Sequence, residues 1–258
     1  MNTVISQFKF SPRVSHFEEG FKERWNLRPY DNPDDPCVFV GIYDEEDIVA
    51  IKKHKGYKVL LPTGTLDLNK NQEYINDLFN DKKMFFIKCW WASYPASKRV
   101  KSIKVPIKDY SLFEPNPLGD KVYCYLGVSR NKHEYGYELA EWLKKQIPYE
   151  IIYGYRDPEI DLPIEKLKEQ YYDKTFVNLN LSTSKVGGFT SVNELAFMGR
   201  KSITTSTRRE KFLINFRKKE SIIKIIEKES SKIGTIQPNL MEGHFIGDEW
   251  LDINFWKN

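Results

Sequence analysis

The chain has 258 residues, 40% hydrophobic and 29% charged, enough to bury a core in one large domain or two small ones. Its 40 basic and 36 acidic residues leave a net charge of +4, too balanced overall to argue for a polyanion-binding surface, and no nucleic-acid motif is present. Cys37, Cys89 and Cys124 form no CxxC pair, no stretch reaches transmembrane length, and no long apolar core precedes a cleavage site. Buried reduced thiols, a cytoplasmic location, no transmembrane segment and no nucleic-acid partner are therefore the expectations.

Short apolar runs alternate with amphipathic segments, the pattern of parallel strands flanked by helices. After a polar, Pro-rich lead-in ending at Pro36, the run CVFVGI from Cys37 to Ile42 predicts a buried strand. Asp44 follows as a helix N-cap, with Ile48, Ala50 and Ile51 on the helix's apolar side. Tyr57–Leu61 predicts the next strand, ending in the turn-rich Pro62-Thr63-Gly64-Thr65. A helix over 72–80 comes next, followed by a strand over Met84–Trp91, a short helix from about Ser93 and a strand over Ile103–Ile107.

Two prolines and a glycine then interrupt regular structure near mid-chain, in Pro115-Asn116-Pro117-Leu118-Gly119. Residues 115–121 are the predicted linker, between an N-terminal lobe of 1–114 and a C-terminal lobe of 122–234. The second half restarts the pattern. Strands are expected at Val122–Leu126, Tyr149–Tyr155, Phe176–Leu181 and Lys201–Thr204. Helices are expected at 135–146, 163–172, Phe189–Met198 and 210–230, with a loop at Gly127–Lys132. The fold class is α/β, two consecutive Rossmann-like lobes. A tail over 235–258, carrying Trp250 and Trp256, is too apolar to hang free and is expected to pack across the lobes.

The most informative segment is Gly187-Gly188-Phe189-Thr190-Ser191-Val192-Asn193-Glu194, between a predicted strand and a predicted helix. Glycines there let the backbone approach a ligand closely, and the first helical amides point outward unpaired. Those amides and the helix dipole favour an anion, and the Thr190 and Ser191 hydroxyls extend the site. Glu194, one turn in, lies on the side that reaches ribose hydroxyls. A Gly-rich turn with a Thr or Ser cap needs no ligand, and that plainer reading stays open. The run is neither GxGxxG nor GxxxxGK[ST], which disfavours dinucleotide and P-loop chemistry.

The run GGFTSVNELAFMGRKSIT resembles the donor-binding segment of GT-B glycosyltransferases, where a glycine-rich loop leads into a helix bearing a Glu and then a short strand. VFVGIYDEEDIVAIKKHKGYKVLLPTGTLD resembles the opening strand–helix–strand of that family's acceptor lobe. The likeness spans about 37–234. A second Glu seven or eight residues beyond Glu194 is absent, since Arg200-Lys201-Ser202 stand there, and this leans towards an inverting enzyme.

The resemblance implies a co-substrate, a nucleotide-diphosphate sugar (UDP-, GDP- or TDP-linked), and a glycan or glycoprotein hydroxyl as acceptor. No Asp-x-Asp occurs, so no metal ion and no further cofactor are expected, and the protein supplies positive charge itself. Arg130 and Lys132, after the first C-terminal strand, and Arg156, after the second, are candidates for the diphosphate, although each also reads as an ordinary surface charge. Tyr155 is a candidate to stack on the base, or a core tyrosine. For the catalytic base the candidates are Asp67, in the Gly64-Thr65-Leu66-Asp67 loop, and Asp44; a turn residue and a helix cap are their plainer roles. His54, in a Lys-rich helix end, is expected to face solvent, and His244 is an outside candidate. An epimerase acting on nucleotide sugars and a non-catalytic two-lobed ligand-binding protein are the rival readings. The basic run Arg208, Arg209, Lys211, Arg217, Lys218, Lys219 reads as the wet side of the 210–230 helix, with Phe212, Phe216, Ile222 and Ile226 inside.

Overall fold

Near-continuous apolar runs become parallel strands in both halves, because a sheet covered on both faces buries every residue along a strand. A computed structural model describes residues 4–63, 68–88, 93–127, 129–155, 162–182, 189–206 and 208–258, and the backbone alone of 68–71, 129–131 and 189. The chain divides into two compact units, Met1–Asp109 with Gly243–Asn258, and Tyr110–Glu242. The segment 115–121 belongs to the second unit, and the tail is shared: 235–242 goes with the second unit and 243–258 with the first.

In the first unit, β1 (Gln7–Phe10), β2 (Arg28–Pro29), β3 (Cys37–Val40), β4 (Lys58–Leu61), β5 (Met84–Ile87) and β6 (Val100–Lys101) form one parallel sheet in the order β2-β1-β3-β4-β5-β6. Helices α1 (Glu18–Trp25), α2 (Glu45–Lys53) and α3 (Leu68–Leu78) connect successive strands. The pleat sends Phe8, Val38, Val40 and Val59 to one face, against Phe21 and Trp25 of α1 and the tail residues Trp250, Ile253 and Trp256. Cys37, Phe39, Leu60 and Phe86 turn the other way, against Ile48 and Ile51 of α2 and Ile75 and Leu78 of α3.

The second unit repeats the plan. Its strands are β7 (Lys121–Tyr125), β8 (Ile151–Gly154), β9 (Thr175–Asn180), β10 (Lys201–Thr204) and β11 (Leu213–Asn215), all parallel, in the order β11-β10-β9-β7-β8. Its helices are α4 (Tyr137–Lys144), α5 (Ile164–Leu167, running into a π turn over Lys168–Tyr172), α6 (Phe189–Phe197) and α7 (Lys219–Ser230). One face of the sheet is apolar: Val122, Cys124, Val177, Leu179 and Ile203 meet Ala140 and Leu143 of α4 and Ile222 and Ile226 of α7. Buried residues that lie between these along the strands include Tyr123, Asn178 and Ser202, and the Asn178 amide donates to the Ser202 hydroxyl at 2.8 Å. Last, α8 (Ile253–Lys257) closes the chain on the first unit, its Asp252 cap accepting from the Asn254 amide at 2.8 Å.

In each sheet the first strand lies between the second and the third, so winding reverses once, between β1 and β3 and between β7 and β9. Ligands of open parallel sheets bind outside the carboxyl ends of strands at such reversals. Among the described residues no helix is long and apolar enough to cross a membrane.

Several expectations are corrected. The lead-in, for which no element was expected, holds β1, α1 and β2, and β1 lies inside the sheet. Residues 93–99 contain no helix, and 103–107 form no strand: Pro106 has no amide to donate to a ladder, and its carbonyl instead accepts the Trp25 indole N–H at 3.0 Å. The Gly127–Lys132 loop is in large part a 3-10 turn over Ser129–Tyr135. The helix over 210–230 is a strand, β11, followed by the shorter α7.

Candidate functional site

The carboxyl edge of the second sheet gathers several of the sequence-predicted residues on neighbouring strands. Tyr125 pairs with Gly154 and Cys124 with Leu179, so the chain leaves β8, β7 and β9 side by side. Tyr155 follows β8 directly and is exposed. After β7 the chain turns at Gly127, whose φ of +64° and closeness to the Tyr135 ring, 2.4 Å from any added Cβ, admit glycine alone. The 3-10 turn that follows carries Arg130, whose side chain is not described, and Lys132, whose ammonium sits 4.0 Å from the Tyr137 ring centre. After β9, the Ser182 carbonyl accepts the Thr205 hydroxyl at 2.5 Å, tying this exit to that of β10. Thr190 is half-buried and Ser191 buried in the first turn of α6, which begins at Phe189. Arg156, Gly187 and Gly188 lie outside the described residues, as does Cys89; Cys37 and Cys124 are buried free thiols.

Glu194 is buried, at 3% exposure, and its carboxylate accepts the Tyr172 hydroxyl at 2.6 Å. This bond fastens α6 to the π turn beneath it. Burial first, and then the Glu194 charge, push the hydroxyls of Tyr172, Tyr123 and Tyr110 well above the usual tyrosine range. The three tyrosines therefore stay neutral at any ordinary pH, and Tyr172 remains the donor to the carboxylate.

The first unit's reversal point carries Asp44. It caps α2 in extended conformation (φ −133°, ψ 165°), and its two oxygens accept from Arg13 at 2.9 and 3.0 Å. Behind it, buried Asp47 accepts from the Ser11 hydroxyl at 2.9 Å and from the amides of Tyr43 and Asp44 at 2.8 and 3.2 Å. This is the capping box in acidic form, and it joins the exits of β1 and β3. Asp47→Ala would strand those donors, and a loss of about 2 kcal/mol in urea unfolding is expected. A loss within about 0.5 kcal/mol, the usual range for a surface change, would remove this structural role. Asp67 lies outside the described residues.

His54 is buried rather than solvent-facing, between Tyr30 and Phe39. His244 is placed beside Lys104, whose Nζ is 3.3 Å from its Nδ1. What the sequence reading overlooked is the hydroxyl-rich exit of β10: Thr204 accepts from the Ser206 amide at 3.0 Å, and Ser206 from the Arg208 amide at 3.2 Å. The run Thr204-Thr205-Ser206 straight after a predicted strand was the available signal. Among the described residues no three His, Cys, Asp or Glu side chains gather as a metal site. No model of a known protein family matches the chain, and no curated protein matches it.

Proposed function

We propose that the chain is a metal-independent, inverting glycosyltransferase of the GT-B kind, moving a sugar from a nucleotide-diphosphate donor to a glycan or glycoprotein hydroxyl in the cytoplasm. The observation that supports this reading most is the position of the exit from β9. It leads into α6 at the reversal point of a parallel sheet, where ligands of such sheets bind, and the Gly187-Gly188 pair lies on that connection. Exits carrying Arg130 and Lys132 on one neighbouring strand and Tyr155 on the next add charge and an aromatic ring to the same edge.

In the proposed reaction the acceptor oxygen attacks the anomeric carbon as the bond from that carbon to the diphosphate breaks. The acceptor proton passes to a base, for which the sequence offers Asp67 and Asp44; both oxygens of Asp44 are engaged by Arg13. The departing diphosphate takes the electron pair, and its charge is met by the amides that open α6 together with Arg130, Lys132 and Arg156. Glu194, held inward by Tyr172, keeps that first turn in place.

A nucleoside diphosphate at ten times its Kd is expected to stabilise the protein by about 1.4 kcal/mol, a rise of about 4 °C in Tm. EDTA should leave the shift unchanged, and Gly188→Asp, which brings a negative charge to the loop, should abolish it. No shift with UDP, GDP or TDP, or a shift that needs a divalent ion, overturns the reading. Isomer formation without an acceptor would instead support an epimerase.

A further inference from the structure

The outermost strand of an open sheet shows unpaired backbone groups to its surroundings, and proteins blunt such edges with charge, proline or brevity. Three of the four edges among the described strands are blunted in this way. In the first sheet, β2 is Arg28–Pro29 and β6 is Val100–Lys101, each two residues long and carrying a charge. In the second, β11 has three residues and ends on Asn215. The fourth edge, β8, is the longest of them, and its residues Ile151-Ile152-Tyr153-Gly154 hold neither a charge nor a proline. Ile and Tyr are among the residues that favour strand pairing.

The register beside β7 decides which groups of β8 are free. The Val122 amide donates to the Glu150 carbonyl at 2.9 Å and the Leu126 amide to the Gly154 carbonyl at 2.8 Å. A parallel strand offers alternate residues to its neighbour, so Ile152 and Gly154 face β7, and the amides and carbonyls of Ile151 and Tyr153 face away. Among the described residues nothing bonds to those four groups. The polar side chains nearby are held within the unit. Glu150 pairs with Lys121 of β7 at 2.5 Å, and the Tyr153 hydroxyl donates to Glu141 of α4 at 2.6 Å. Ile152 is half-buried.

We propose that β8 pairs with β8 of a second copy of this chain, antiparallel about a two-fold axis, joining two five-stranded sheets into one. Turned about an axis at Ile152, the strand matches itself. Ile151 then stands opposite Tyr153 of the second copy, and each amide donates to the facing carbonyl. The two-fold repeats this exchange, so every free group of both edges is paired. Ile152 meets its own counterpart on the axis, at the non-hydrogen-bonded position where side chains come closest. Glu150 stands opposite Gly154, so no charge faces a like charge. A strand shaped for a foreign peptide has no need of such self-matching. The new bonds end at Tyr153, short of the exit at Tyr155, so association requires no donor.

Sedimentation velocity from about 1 µM to about 200 µM should show the parent passing from monomer to dimer. Ile152→Lys and Ile152→Glu each set like charges against one another on the axis and should weaken the dimer by about tenfold or more. Mixing the two variants sets Lys against Glu and should restore the pair as a heterodimer. Ile214→Lys, on the opposite edge of the same sheet, should leave the parent's association unchanged. Hydrogen exchange on the parent needs no substitution: segment 149–154 should gain protection at the dimeric concentration, and the other three edges should not. A parent that stays monomeric overturns the proposal and leaves the edge to a foreign strand. So does a dimer indifferent to Ile152→Lys, a mixture that stays apart although both variants keep the parent's urea midpoint, or unchanged exchange in 149–154 on dimerisation.

Discussion

Replacing Arg200 with methionine is expected to destabilise the second unit by about 4 kcal/mol, since each buried carbonyl that loses its donor costs about 1–3 kcal/mol. The Arg200 side chain is fully buried. Its Nε donates to the Thr175 carbonyl at 3.1 Å, Nη1 to Met198 at 2.5 Å and Asn116 at 3.4 Å, and Nη2 to Pro117 at 3.0 Å. One planar fork thus joins the approach to β7, the start of β9 and the end of α6. Burial lowers the guanidinium to about 10, far enough above neutrality for the charge to persist. Methionine fills similar space but gives those carbonyls nothing. Arg200→Lys keeps the charge on a single point and cannot span acceptors on three segments, so it should restore less than half of the loss. Urea midpoints read at unchanged slope decide it. A methionine variant within about 1 kcal/mol of the parent would mean that water or relaxed backbone satisfies these carbonyls.

The strands that could be read from sequence are those whose burial is written in their own residues. Cys37–Val40 and Val122–Tyr125 are apolar throughout, as strands covered on both faces tend to be, and Phe176–Leu181 is apolar apart from the buried Asn178 and Asn180. β1 escaped because Gln7 and Lys9 break its pattern. Gln7 is fully buried, yet its amide donates to the carbonyls of Asn32 and Asp35 at 2.5 and 3.0 Å and accepts from the amides of Asp31 and Asn32. A glutamine that satisfies a returning loop looks, in sequence, like one that faces water. The opposite error produced the helix over 210–230. Phe212, Phe216, Ile222 and Ile226 mimic a helical stripe, but Phe212 and Phe216 flank a three-residue strand, Leu213–Asn215, and only Ile222 and Ile226 lie on a helix. A strand that short carries too little alternation to compete with a helical period.

The candidate site was legible as a place more than as a set of contacts. Sequence put Arg130, Lys132, Tyr155, Thr190 and Ser191 after successive strands, and the parallel register brings those exits together. That Glu194 turns inward to Tyr172 depends on a π turn 22 residues earlier, which no local pattern announces. Asp44 shows the reverse: its cap position was readable from spacing alone, whereas its pairing with Arg13 needed β1 to be recognised first.

Acid should weaken the first unit through His54. The imidazole is 2% exposed, packed against Phe39 and Tyr30 at 5.5 and 5.6 Å between ring centres, with Nδ1 3.4 Å from the Tyr30 hydroxyl. Nearby, the buried Lys58 ammonium donates to the His54 carbonyl at 2.7 Å and pairs with Asp81 at 2.7 Å. Burial first, and the Lys58 charge second, lower the imidazole to about 4; a bond involving the Tyr57 backbone and the charges of Asp34 and Asp81 oppose them only in part. The native state therefore holds His54 neutral, while the unfolded chain takes up its proton near the ordinary histidine value of about 6.5. Stability from this group is complete above that value and falls as the pH drops from there towards 4. Between pH 7.5 and 4.5 the loss comes to about 2.5 kcal/mol, at about 1.4 kcal/mol for each unit of separation. His54→Phe keeps a ring between Phe39 and Tyr30 and has no proton to gain, so its urea midpoint should fall less over the same range. If parent and variant lose stability in parallel, carboxylates rather than this imidazole set the acid limit of the fold.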